Sequence, residues 1–100
     1  MSRSYINSAQ QRVLALLFRL SGHEIEGVAP GELAQALRTS ASNITRDLAN
    51  LREAGVAEPL ENGRWRLTPR IARISVQMAE ALARAQERME EVRQRFTRTA

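Results

Sequence analysis

The sequence predicts a mainly α-helical chain with one small β-hairpin, closed by a long C-terminal helix. Three observations predict it. Residues 39–55 carry apolar side chains at the helical period, with a start and a stop signal at their two ends. Asn62-Gly63 lies between two short extended runs, the strongest short hairpin signal a sequence offers. From Arg70 to Phe96 there is neither Gly nor Pro, and apolar residues recur every three or four positions.

Residues 1–7 carry no periodic signal and read as a flexible arm. Ser8 is placed to cap a first helix that runs to about Ser21, with Gly22 as its stop. Val13, Leu14, Leu17 and Leu20 form its core stripe, and Leu16 and Phe18 widen it. So broad a stripe implies contact on two sides, one of them another subunit. His23–Gly27 is a loop from which Ile25 or Val28 makes a short extended contact. Pro30 opens a second helix, a position its fixed φ suits. Leu33, Ala34 and Leu37 are that helix's buried face, and it ends near Arg38.

The third helix follows at once. Ser40 is its expected N-cap, and Gly55 falls where a left-handed residue would end it. Ile44, Leu48 and Leu51 make the buried stripe. Ser42, Arg46, Ala49 and Glu53 lie opposite, flanked by Asn43, Thr45 and Asn50. Short polar side chains around one Arg suit close approach to a DNA major groove, where Asn and Arg meet base edges and hydroxyls meet phosphates. Two short helices joined by the turn Arg38-Thr39-Ser40 are a helix-turn-helix.

Val56–Leu60 reads as a short strand that Pro59 confines to an edge, because proline has no donor for a ladder. Asn62-Gly63 then predicts a type I′ turn. Arg64–Thr68 returns in alternation, Trp65 and Leu67 inward and Arg64, Arg66 and Thr68 outward. Such a hairpin is a wing with a basic side, so residues 8–69 together read as a winged helix-turn-helix.

In the terminal segment, residues 70–97, a heptad-like seam runs through Ile71, Ile74, Met78, Leu82, Ala85, Met89, Val92 and Phe96, with one stutter near Met78–Leu82. Glu80–Arg84 and Glu91–Arg95 are spaced as i, i+4 ion pairs. At about 1.5 Å per residue the helix reaches ~40 Å, more than the globular part could cover. A second copy of the same helix is the economical partner, which makes the chain an expected homodimer.

Composition narrows the function. The chain has 100 residues and no cysteine, so disulfides and thiolate metal sites are excluded and a reducing cytosol suits it. His23 is the single histidine, with neither a second ligand nor an orienting partner in view, and no phosphate-binding Gly-rich loop or paired-carboxylate motif appears. No metal, cofactor or enzymatic activity is expected. All basic residues are Arg, forked donors suited to phosphate and guanine, and the net charge is +4. Residues 1–68 are nearly balanced, so charge permits nucleic-acid binding without demanding it. No signal-peptide run or membrane span is evident, and a cytoplasmic, nucleoid-associated protein is expected.

Residues 8–70 resemble the N-terminal winged-helix domain of the IclR family of bacterial transcriptional regulators. The likeness lies in Gln11–Leu17, Glu32–Ala36, Ser42–Leu48, Leu51–Val56 and Asn62–Pro69. It implies that the third helix reads the major groove and the wing touches backbone. Transferred to this sequence, Ser42, Asn43, Thr45 and Arg46 would be readers and Arg64 and Arg66 wing contacts. Ser40 and Asn50 complete the expected DNA-binding set. The large effector domain that usually follows is replaced here by a single helix, an arrangement more like compact dimeric repressors of the PadR or phage type, so ligand sensing is not implied. The expectation is a homodimeric, sequence-specific double-stranded DNA-binding regulator, a prokaryotic or phage repressor. A winged helix used for protein–protein contact and a non-specific architectural DNA binder are its rivals.

Overall fold

The computed structural model describes residues 5–98 and divides between Pro69 and Arg70 into two units. The first holds α1 (Ser8–Leu20), α2 (Pro30–Ala36), α3 (Ala41–Glu53), β1 (Ala57–Pro59) and β2 (Trp65–Leu67). The long helix α4 spans Pro69–Thr97. The expected class, a winged helix-turn-helix with a long terminal helix, is the class observed. Of the expected arm, residues 1–4 lie outside the described residues, whereas Tyr5 and Ile6 are exposed.

The core is built where three helices meet. Leu16 and Leu20 of α1, Leu33 of α2, and Ile44 and Leu48 of α3 are its largest fully buried side chains. Each contributes roughly 1.5–3 kcal/mol relative to exposure. This corrects the stripe expected for α1. Leu14 is 52% exposed and Phe18 74% exposed, because both lie about 200° round the helix from Leu16. The buried face is Leu16 and Leu20, with Val13 and Leu17 packed partly against the cluster. The α1 cap also moves by one residue. Asn7 is the N-cap, its side chain accepting from the Gln10 N–H, and Ser8 is the first helical residue.

Behind α3 the two strands pair antiparallel, Ala57 with Leu67, Glu58 with Arg66 and Pro59 with Trp65. Val28 adds a single bridge on the far side of Trp65, exchanging both backbone hydrogen bonds with it. Trp65 therefore asks no donor of Pro59, which is why proline is tolerated there. Of the two candidates for the extended contact, Val28 makes it and Ile25 is exposed. The hairpin turn is not type I′. That turn needs positive φ at both central residues, and here only Gly63 has it, at φ 85. Instead the Gly63 N–H donates to the Leu60 carbonyl, and Asn62 Oδ1 accepts from the Arg64 N–H.

Within α4 no residue is buried. Ile71 is half-buried, while Ile74, Met78, Leu82, Ala85, Met89, Val92 and Phe96 are exposed. The ion pair on this helix is Glu90–Arg93, at 2.6 Å. Among the described residues neither Glu80–Arg84 nor Glu91–Arg95 forms. No helix is long and apolar enough to cross a membrane.

Candidate nucleic-acid interface

The α3 helix is fixed at both ends by its own sequence. Ser40 Oγ accepts from the Asn43 N–H at 3.1 Å, and Gly55, at φ 77, closes the C-terminus. There the Gly55 and Val56 N–H groups donate to the Arg52 and Leu51 carbonyls. This leaves Ser40, Ser42, Thr45, Arg46 and Asn50 exposed and Asn43 half-buried.

The local hydrogen bonds then determine what each side chain still offers. Asn43 Nδ2 donates to Thr39 Oγ1 and Asn50 Nδ2 to the Arg46 carbonyl, so each amide keeps its oxygen and one N–H. Thr45 Oγ1 donates back to the Ala41 carbonyl at 3.0 Å and is left as an acceptor. Ser40 spends its oxygen on the cap but keeps its proton. Arg46 has no side-chain partner among the described residues, so its fork of donors is entirely open.

Asp47 is the residue of this helix that the sequence pattern does not single out, and it is only 4% exposed. Its two oxygens accept from Arg12 Nε at 2.6 Å and Nη2 at 3.0 Å, a bidentate pair joining α1 to α3. The hydrogen bond to Asp47 raises the Arg12 guanidinium above its ordinary value, against an opposing effect of burial. The carboxylate is thus turned from the outer face and compensated. The sequence signal was positional: Asp47 shares the α3 face of Ile44, Leu48 and Leu51, where a charge needs a partner.

The wing is less free than alternation implied. Arg64 Nε donates to the Glu26 carbonyl, its Nη2 to the Gly27 carbonyl, and its guanidinium lies 3.5 Å from Glu32. Arg66 Nε donates to Glu58 at 2.9 Å and its Nη1 to the Glu24 carbonyl. Both arginines are half-buried against their own unit. In the same loop His23 Nδ1 meets Glu26 Oε1 at 2.8 Å, and that hydrogen bond holds the Glu26 carboxyl below its ordinary range. No group of three or more His, Cys, Asp or Glu able to hold a metal occurs among the described residues.

A family described as "Helix-turn-helix domain" matches residues 5–59. Among solved structures the chain is similar to a MarR family transcription regulator at 22% identity and a TM-score of 0.49, covering 94% of this chain and 73% of that one. A mutant of Lactococcus lactis ZitR is similar at 17% identity and a TM-score of 0.49, with 97% of this chain and 66% of that one covered. No curated protein matches the chain.

Proposed function

The chain belongs to the helix-turn-helix domain family, and from that premise we propose that it is a sequence-specific regulator of transcription that binds double-stranded DNA as a homodimer. The observation that carries the reading is the outer face of α3. Ser42, Asn43, Thr45, Arg46 and Asn50 offer short polar groups around one unpartnered guanidinium, and the carboxylate on that helix's inner flank is turned inward onto Arg12. In the major groove Ser42, Asn43, Thr45 and Arg46 would be the readers, and the Ser40 hydroxyl would meet a phosphate. Arg64 and Arg66 would reach the backbone only by exchanging a carboxylate for a phosphate. A repressor role, the narrower IclR likeness and a cytoplasmic, nucleoid-associated location belong to the same proposal. So does the division of labour between a DNA-binding domain, residues 8–69, and a self-associating helix, residues 70–97.

The test is retardation of random genomic fragments by the purified protein across a salt series, followed by selection of the bound fragments. Sequence-specific binding that weakens steeply with salt is expected, through counterion release. Arg46→Ala should cost about 1–3 kcal/mol and relax one position of the selected site, whereas Arg66→Ala should weaken all sequences alike. Retardation without a selected sequence would favour an architectural binder. A winged helix devoted to protein–protein contact has one observation in its favour, the carboxylate partners already held by the wing arginines. Absence of salt-sensitive retardation would overturn our reading and favour that one.

A further inference from the structure

Two helices of the first unit end in the same hydrogen-bond pattern, with different residues at its left-handed position. At the end of α3 that residue is Gly55. At the end of α2 the Arg38 N–H donates to the Gln35 carbonyl and the Thr39 N–H to the Ala34 carbonyl, and the left-handed residue is Arg38, at φ 52. It is the one non-glycine residue with positive φ among the described residues. Its Cβ is crowded by a conformation that glycine adopts freely. The fold draws no hydrogen bond or ion pair from the side chain in return. Arg38 is exposed, its guanidinium has no partner among the described residues, and the carbonyls it could cap already accept from backbone N–H groups.

The placement of the other cations points the same way. Among the described residues of the first unit, Arg12, Arg64 and Arg66 are matched with Asp47, Glu32 and Glu58. Arg19, Arg38, Arg46 and Arg52 are not. Three of those four, Arg38, Arg46 and Arg52, belong to the stretch between the end of α2 and the end of α3. In that stretch Asp47 is taken up by Arg12 and Glu53 is the one unmatched acid among the described residues, so the helix-turn-helix keeps an excess of unmatched positive charge. Arg38 stands two residues ahead of the Ser40 cap, on the turn that leads into the reading helix.

We propose that Arg38 is a phosphate anchor, a sequence-independent contact of the α2–α3 turn to the duplex backbone. This rests on the DNA-binding reading above and adds a residue to it. The turn accepts arginine where glycine would be easier because the guanidinium works outside the fold.

The experiment compares wild type, Arg38→Gly and Arg38→Lys in thermal melting and in fluorescence-anisotropy titrations of the selected duplex and an unrelated one. Arg38→Gly should melt at or above wild type, since glycine suits the backbone. It should nevertheless bind both duplexes roughly tenfold more weakly per protomer bound near 50 mM salt, with a salt slope smaller by ~0.9 per protomer, so the gap per protomer narrows about three- to fourfold by 200 mM. Arg38→Lys should keep most of the slope, because a phosphate accepts a point charge. An Arg38→Gly protein with wild-type affinity and slope overturns the assignment, as does one whose melting falls in step with its affinity. If wild type itself binds no duplex in a salt-sensitive way, the DNA-binding reading falls and takes this one with it.

Discussion

The Arg12–Asp47 pair shows how one residue can settle the character of a surface. Two hydrogen bonds tie the first turns of α1 to the middle of α3 across 35 positions of sequence, and the carboxylate is nearly out of water. Removing one partner leaves the other without compensation, which costs more than the pair itself gains. Asp47→Asn and Arg12→Met should each lower the melting temperature by several degrees, and the double variant by less than the sum. Strict additivity in that cycle would mean that the contact contributes nothing. Gly27 is constrained differently. It is buried at φ 70, and an added Cβ would meet the Trp65 carbonyl oxygen at 3.0 Å and a Leu60 methyl at 2.8 Å. Gly27→Ala should therefore destabilise by about 1–3 kcal/mol, measured by urea unfolding. Because the hydrogen bond from His23 lowers the folded-state pKa of Glu26, its contribution is present above the unfolded carboxylate value and is lost as pH falls through the folded one. An NMR titration of the Glu26 carboxyl should place its midpoint below the ordinary glutamate range. A midpoint at or above that range would remove the contribution.

At the scale of the element, α3 is defined by its ends. Ser40 supplies the one side-chain cap, so Ser40→Ala should cost about 1 kcal/mol and loosen the turn that carries Ser42 and Asn43. An unchanged unfolding midpoint would show that the backbone needs no such cap. Both ends of α3 were legible in the sequence because a cap and a C′ glycine act on their immediate neighbours. So was the inward set of Trp65 and Leu67, since strand alternation is also local. What escaped was set by distant partners. Nothing in residues 57–68 announces that Arg64 will donate to the carbonyls of Glu26 and Gly27, and nothing around Asp47 names Arg12. The α1 stripe was misjudged for a related reason. Six large apolar residues in eight positions cover most of a helix circumference, and only the neighbouring helices decide that Leu16 and Leu20 are buried while Leu14 and Phe18 are not.

For the whole molecule the question is what α4 does with an apolar seam that meets water. It has 29 residues and buries none of them. Exposed Ile74, Met78, Leu82, Met89, Val92 and Phe96 recur at spacings close to those of a two-helix seam. A second copy would bury these side chains and bring two α3 helices to one duplex, with half-sites spaced near one helical turn, about 34 Å. If so, melting temperature should rise with protein concentration, and sedimentation should report a dimer at micromolar concentration. Placing Glu at two seam positions, Leu82→Glu with Met89→Glu, should yield a monomer that keeps the fold of residues 8–69. On a two-half-site duplex that monomer should lose roughly 100-fold or more in affinity, because the second half-site no longer gains from tethering, while binding to one half-site stays near wild type. Equal losses on one and two half-sites would instead assign the seam to the folding of the DNA-binding unit. A wild-type monomer that binds both duplexes as well as the variant does would assign it to a different protein.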